Sequence, residues 1–573
     1  MENNHISGAE GLLKSLICEG VDTIFGYPGG QIISVYDKLY DYTDKLHHIL
    51  VRHEQGAIHA AQGYARTTGR PGVVIVTSGP GATNVVTGLA DALMDSTPIV
   101  VISGQVASDF LGTDAFQEAD VVAMTQQVTK WAIQIRRPED IPAAVARAFY
   151  IASTGRPGPV VLDIAKDAQV GMMDWSHEHC RAIRSYNPCP DIEPEDIDEV
   201  AQMLESAKKP LIIAGHGVMI ANAEKSMLEV AEKGNIPVAT TLLGLSTISS
   251  DHPLNKGMVG MHGNLGPNSA TLEADVIVGV GLRFDDRVVG DFNAYAPNAR
   301  IVHVDIESAE LNRNIKTFKT IHADANDFFK ALAKKVKPAK HDEWLSKFDL
   351  RDKIEIEKVI EPVLKPAAGP LHMGEVIRAV ADAAPDNAIC VTDVGQNQMF
   401  AARYFRYHAD KSFLSSGGLG TMGFGLPAAM GAKIGAPDRT VCLFVGDGGL
   451  QMTIQELGTI MAYNIGVKII LLNNDYLGNV RQWQELFFNS RFSQTPLVNP
   501  DFNKIAEAYG IRTSKVTRRE DLADAIADML ADDNAYLLNA AIGYDEMIFP
   551  MIAAGTSFEK IMLSKDENYF PLK

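Results

Sequence analysis

Residues 441–474 read VCLFVGDGGLQMTIQELGTIMAYNIGVKIILLNN, and their order decides the fold. The apolar run VCLFV delivers the chain to Gly446-Asp447-Gly448, a helix is predicted over roughly Gln451–Tyr463, and VKIILLNN forms the next strand. In such a βαβ unit the two strands run parallel, so Asp447 and Asn474 emerge together at the carboxyl ends, where α/β sheets bind ligands. Two side-chain oxygens, a backbone carbonyl near Tyr476 and two diphosphate oxygens suit Mg²⁺, an octahedral, oxygen-seeking ion. Gly448 and Gly449 let backbone N–H groups and a helix start approach a phosphate closely. The alternative is a tight turn beside an unrelated Asn-Asn turn. The spacing of 24 residues between the two motifs, with a strand leading into each, favours the metal-diphosphate reading.

Outward from this unit, short β-branched runs alternate with helical patterns, the signature of parallel α/β sheets. Examples are Val73–Thr77, Ile99–Ser103, Val160–Ile164, Leu211–Ala214, Val276–Val280 and Ile301–Val304. Two stretches break the rhythm, residues 168–198 (with SYNPCPDIEPED) and residues 336–370 (with EPVLKPAAGP). Read as linkers, they leave three α/β units, each within the usual size of a domain. The outer two units look alike. EQGAIHAAQGYARTTGRPGVVIVTSGPGATN begins at Glu54 and GTMGFGLPAAMGAKIGAPDRTVCLFVGDGGLQ at Gly420. Each is a glycine-punctuated helix, an apolar strand and a tight glycine turn, so duplication of one domain type is an open reading.

The 573 residues carry a net charge of −19 and no basic stripe, which argues against a nucleic-acid partner. Five scattered cysteines make no disulfide framework. No apolar run is long enough to span a bilayer. A cytoplasmic enzyme without a membrane partner is expected.

Glu54 opens the helix of VRHEQGAIHAAQGYAR. Alone, it reads as a solvated acid favouring a helix N-terminus; its functional reading is a buried acid that protonates a cofactor ring nitrogen. Ser78-Gly79-Pro80-Gly81-Ala82-Thr83-Asn84 follows, a turn too glycine-rich for mere punctuation.

These motifs carry a family resemblance. GDG with its distant NN resembles the thiamine-diphosphate motif, and RHEQ with TSGPGATN resembles that superfamily's pyrimidine-binding domain. FGYPGG, GTDAFQEAD, TGRPGPV, GMHG, RFDDRV, GGLGTMGFGLPAA and VRQWQ resemble the acetolactate (acetohydroxyacid) synthase catalytic subunits, in collinear order from about Gly8 to Gly555. The resemblance implies a pyrimidine-binding domain at 1–170, a central Rossmann-like FAD domain at 190–345, a diphosphate and Mg²⁺ domain at 370–550 and a tail at 551–573 that closes over the site as a lid.

It also implies an activity. Pyruvate would be decarboxylated and its two-carbon fragment joined to a second pyruvate or to 2-ketobutyrate, in branched-chain amino-acid biosynthesis. Glu54 of one subunit would protonate the aminopyrimidine of cofactor held by another subunit, with Pro80 and Asn84 nearby. Val394, Gly395, Gln396, Gln398 and Gly420 would line the cofactor, and Met422 would hold its bent shape. Asp447, Asn474 and Tyr476 would bind the metal, with Gly448 and Gly449 at the diphosphate. Arg287 would take the second substrate's carboxylate, while Trp483, Met261 and Phe116 form an apolar wall. Gly30, Gln117 and Lys166 would lie near the reacting carbons. FAD contacts would come from Arg156, Gly215, Gly217, Thr241, Leu242, Gly260, Met261, His262, Gly281, Arg283, Asp285, Arg287, Asp305, Ile306, Asp324 and Ala325. A homodimer or tetramer is implied, with a small regulatory subunit as a further partner.

Three positions depart from the family pattern. Asn397 replaces the usual His, Asn479 the usual Met, and Ala165 the common Pro. His177, His179 and Cys180 in SHEHC lack a second pair at zinc spacing and are expected to be a solvated loop. Two other functions are weighed: an FAD-dependent oxidoreductase resembling pyruvate oxidase, and an inactive regulatory paralogue, against which Glu54, Asp447 and Asn474 count.

Overall fold

The computed structural model describes residues 5–566. The first unit holds β1 (His5–Ser7), β2 (Thr23–Gly26), β3 (His47–Leu50), β4 (Gly72–Val76), β5 (Ile99–Gln105), β6 (Trp131–Ile135), β7 (Pro159–Ala165) and β8 (Met172–Asp174). β2 to β7 make a six-stranded, wholly parallel sheet in the order β3-β2-β4-β5-β7-β6, while β1 and β8 form a separate antiparallel pair. The middle unit holds β9 (Pro210–Ala214), β10 (Val238–Thr240), β11 (Asn255–Met258), β12 (Val276–Val280), β13 (Arg300–Asp305) and β14 (Lys319–His322). Their parallel order, β11-β10-β9-β12-β13-β14, is the doubly wound arrangement of dinucleotide-binding folds. The third unit holds β15 (Ile389–Thr392), β16 (Phe413–Leu414), β17 (Val441–Gly446), β18 (Val467–Asn473), β19 (Arg512–Val516) and β20 (Tyr536–Ala541). Its order, β16-β15-β17-β18-β20-β19, repeats that of the first sheet strand for strand.

The sheets are parallel because their strands are apolar on both faces, which only helices on both sides can cover. β4, β5, β7, β9, β12 and β15 are buried at every position. Each fully buried Val, Leu or Ile stabilises by about 1.5–3 kcal/mol relative to exposure.

The outer units meet through the helices Glu54–Thr68 and Gly425–Gly435. A Cβ at Gly63 would stand 2.0 Å from the Ala428 carbonyl oxygen, and one at Gly431 would stand 1.7 Å from that of Ala60. Glycine at both positions therefore permits backbone-to-backbone approach. At the other contact, Asp95 ties all three units together. Its carboxylate accepts from the Gly417 and Gly418 amides (2.9 and 2.7 Å) and from Arg66 (2.9 Å). Its carbonyl accepts from His216 Nδ1 (3.0 Å).

The helix predicted over 451–463 is broken in the structure. One helix covers Asp447–Met452, a 3₁₀ turn Ile454–Glu456, and a second helix Leu457–Tyr463. Thr453 leaves the helical region, with φ −135°, and its hydroxyl donates to the Gly423 carbonyl at 3.0 Å. The stretch near 336–370, read as a linker, contains a helix, Asp342–Glu355, which buries Trp344 and Phe348 against the middle unit. Of the tail, residues up to 566 pack on that unit: Ile552 N–H donates to the Met261 carbonyl (2.8 Å), and Phe558, Ile561 and Leu563 bury against Leu265. Residues 567–573 of the expected lid lie outside the described residues. No helix among the described residues is long and apolar enough to cross a membrane.

Candidate active site

Gly446 pairs with Leu472 across β17 and β18, so Asp447 and Asn473 stand side by side at the carboxyl ends of the two strands. Asp447 is 1 % exposed. It accepts from the Gly448 amide at 3.0 Å and from Asn499 Nδ2 at 2.6 Å, yet burial pushes its carboxyl up to about 6. Asn474 Oδ1 accepts from the Tyr476 amide at 3.1 Å. These groups line a small cavity of about 80 Å³ together with Val394, Gly395, Gln396, Met422, Gly448, Gly449, Leu477 and Asn479. The donor set is a carboxylate with amide oxygens, the chemistry of a hard cation. The buried Oε1 of Gln396 has no partner and so is available to a ligand donor. A Cβ at Gly449 would stand 2.4 Å from Asp393 Oδ1, so only glycine lets the start of the Asp447–Met452 helix pack against that buried acid. Thiamine diphosphate with Mg²⁺ fits these residues.

A second cavity, about 840 Å³, lies where the three units meet. All the residues expected to contact FAD line it except Gly215 and Gly260. Those two work as spacers: a Cβ at Gly215 would stand 2.1 Å from the Gly281 carbonyl oxygen, and Gly260 adopts φ +109° against the Arg287 backbone. The volume is at the upper end of the roughly 300–1,000 Å³ of ligand pockets. Neutral imidazoles of His216 and His262 face it, their pKa values lowered by burial to about 4 and about 3. Burial lifts Asp305, which also lines the cavity, to about 7. A flavin dinucleotide fits this cavity in size and in its doubly wound frame.

Val394 and Asn479 line both cavities, so the two adjoin there. Arg287, Met261 and Trp483 share the larger one. Arg287 Nη1 lies 3.1 Å from Met261 Sδ, and its side chain is 58 % exposed. Gln398 and Gly420 also line this cavity.

The remaining expected residues gather elsewhere. Glu54 Oε2 accepts from Asn84 Nδ2 at 2.9 Å, and Glu54 Oε1 lies beside Gly81, next to Pro80. Gly79, at φ +55°, abuts the backbone of Gln117, itself at φ +61°. Gly30 faces open space, Lys166 is half-buried and Phe116 is 85 % exposed. None of Glu54, Pro80, Asn84, Gly30, Phe116, Gln117 and Lys166 lines either cavity. Within one chain, the two groups are not brought together.

Three residues escaped the reading of the sequence. Asn499 donates to Asp447 and also to Asp475 at 2.8 Å, although it sits in a loop that carries no motif. Asp393, fully buried, accepts from the amides of Val394, Gly423 and Gly425 and so fixes the turn bearing Met422. Glu456, also fully buried, accepts from the Arg52 amide at 3.1 Å and from Thr459 at 2.7 Å. It thus satisfies a backbone donor just ahead of the helix that carries Glu54, from a different unit. Nothing in the local sequence TIQEL marks this acid out. Of the departures, Asn397 donates to the Phe444 carbonyl at 3.0 Å, whereas the buried Oδ1 of Asn479 has no partner.

Comparison with known proteins follows the same division. Three family models match: the thiamine pyrophosphate enzyme N-terminal TPP binding domain over residues 6–124, the central domain over 197–332, and the C-terminal TPP binding domain over 393–540. The acetolactate synthase isozyme 2 large subunit of Escherichia coli is 41% identical over 97% of this chain and 99% of its own length. The acetolactate synthase large subunit of Lactococcus lactis is 43% identical over 97% of this chain and 96% of its own. The probable acetolactate synthase large subunit of Methanocaldococcus jannaschii is 42% identical over 97% and 95%. With identity of this degree running through all three units, the chain belongs to the acetolactate synthase large-subunit family of thiamine-pyrophosphate enzymes.

Proposed function

We propose that the chain catalyses the conversion of two pyruvates to acetolactate and CO₂, or of pyruvate and 2-ketobutyrate to acetohydroxybutyrate and CO₂. The observation that carries this reading is the adjoining of the two cavities, with Asp447 in one and Arg287 and Trp483 in the other. Thiamine diphosphate, when bound, would supply the electron sink that decarboxylation of a 2-keto acid requires. Asp447, Asn474 and the Tyr476 carbonyl hold Mg²⁺, and Gly448 and Gly449 present amides to the diphosphate. Glu54 holds a proton for a pyrimidine nitrogen and is oriented by Asn84. Arg287 grips the carboxylate of the acceptor keto acid with its planar fork. Trp483 and Met261 exclude water from the acceptor's alkyl side, and the partner subunit completes that wall with a second copy of Phe116.

FAD in the larger cavity serves a structural role, since the reaction transfers no net electrons. Because Glu54 and its neighbours line neither cavity, the complete site needs two chains, and the minimal active form is a homodimer. The relatives' designation as large subunits supports a small regulatory partner. Five unpaired cysteines suit a reducing compartment such as the cytoplasm. The domain limits 1–170, 190–345 and 370–550 go with this reading.

The test is product analysis after mixing the protein with pyruvate, thiamine diphosphate, Mg²⁺ and FAD. Acetolactate with CO₂ in one-to-one yield is expected. Anaerobic bleaching of the flavin at the rate of pyruvate loss, with no acetolactate, would establish an oxidase instead.

A further inference from the structure

The segment after β8 is fastened along the first helix, Gly8–Cys18, from one end to the other. β1 and β8 pair just ahead of the helix, and Trp175 Nε1 donates to Ser15 Oγ at 3.2 Å near its middle. At its far end, Glu19 meets two histidines that the sequence left in a solvated loop. Glu19 Oε1 lies 2.7 Å from His177 Nε2 and 3.2 Å from His179 Nδ1. The two imidazole planes stand at 89° with centroids 5.5 Å apart.

This is a built arrangement. The His177 side chain is only 3 % exposed and that of Glu19 11 %, whereas His179 is 59 % exposed and open to water. His177 Nδ1 is buried without a partner, so all the polar bonding of this ring is directed at Glu19. Among the described residues, these three form the one group of His, Cys, Asp or Glu whose ligand atoms all lie within 4.8 Å of one another. Metal bonds of ~2.0–2.1 Å in tetrahedral array place neighbouring ligand atoms roughly 3.3 Å apart. The two spacings from Glu19, 2.7 and 3.2 Å, bracket a range just below that edge length, and all three ligand atoms lie within 4.8 Å of one another, so side-chain shifts alone can seat an ion.

We propose that Glu19, His177 and His179 form a binding site for a divalent cation of the zinc class, with water in the fourth position. Two imidazoles and one carboxylate suit a borderline ion such as Zn²⁺, and are a poor set for Mg²⁺, which prefers oxygen. The ion closes the fastening of the segment between the first and middle units onto the C-terminal end of the first helix. It lies outside both cavities and takes no part in the proposed reaction.

The test titrates ZnCl₂ into metal-stripped protein already saturated with thiamine diphosphate and Mg²⁺, followed by calorimetry and by melting temperature. One saturable Zn²⁺ site per chain and a rise in melting temperature are expected. The double variant Glu19→Gln/His177→Ala should lose that site, with affinity down at least ~100-fold, while its Zn²⁺-free circular dichroism stays as in the parent. His179→Ala, which changes only an exposed ring, should weaken binding about tenfold and guards against misfolding of the double variant. Equal Zn²⁺ binding in parent and both variants would overturn the site. So would the absence of saturable binding in the parent, leaving Glu19 as a hydrogen-bonded clasp for two histidines.

Discussion

The first and third sheets have one strand order, yet the ends of their strands hold opposite chemistry. In the first, the turn after β4 sets Asn84 against Glu54, an acid half-buried at a helix start. In the third, the turn after β17 sets Asp447 among amides, with Asn499 and Gly448 donating to it. A shared frame thus delivers a carboxyl group to each unit, and in the proposed reaction the first serves proton transfer and the second the metal ion. The strand order positions the turn; three or four side chains decide its use. The helices Glu54–Thr68 and Gly425–Gly435, each behind its own turn, are the part that stayed alike, down to a glycine at their crossing.

This division of labour is breakable by paired variants. Asp447→Ala should give the largest effect, loss of detectable acetolactate formation together with tight thiamine-diphosphate binding, read by calorimetric titration. Glu54→Gln should slow turnover by ~10²–10⁴-fold, the usual range for a positioned proton donor, while cofactor affinity stays near that of the parent. Equal loss of cofactor affinity in the two variants would erase the distinction between the units. Mixed dimers of the two inactive chains should regain part of the activity, and none if a single chain makes a whole site.

The crossing itself sharpens the comparison. A Gly→Ala change inside a helix normally stabilises by up to ~1 kcal/mol. At Gly431 the added Cβ would stand 1.7 Å from the Ala60 carbonyl, so the sign should reverse. Gly431→Ala is expected to destabilise by about 3 kcal/mol in urea unfolding, the upper range for overpacking. A neutral result would mean that the outer units separate more readily than their contact implies.

The smallest expected effect concerns acceptor choice. One methylene distinguishes 2-ketobutyrate from pyruvate, worth ~1–3 kcal/mol in an apolar pocket. Trp483→Leu should cut the preference for acetohydroxybutyrate by about tenfold in a two-substrate competition, with acetolactate formation retained. An unchanged product ratio in the folded variant would make Trp483 a packing residue beside Phe487, whose ring lies 5.2 Å away.

What was legible in the chain follows from distance along it. The parallel sheets show as β-branched runs, and Asp447 with Asn474 shows as one βαβ unit, because each signal is local. The likeness of the outer units was half-visible in their glycines and became plain only when strand order could be compared. Thr453 breaks the expected helix through a bond to Gly423, 30 residues earlier. Asn499, Glu456 and Glu19 were invisible because each acts on residues far away in sequence, 52, 404 and 158 positions off. No periodicity or motif encodes such a meeting; it exists only once the units are docked.

The place where Asp95 gathers the three units has a thermodynamic meaning of its own. The 840 Å³ cavity beside it takes its walls from all three, so its walls are complete only while they are joined. A ligand held there binds the assembled chain and not the opened one. Each tenfold rise in its free concentration above the dissociation constant adds about 1.4 kcal/mol against separation of the units. Abundance of that ligand in the cell, as well as the fixed contacts of the chain, therefore governs how cooperatively the three units come apart.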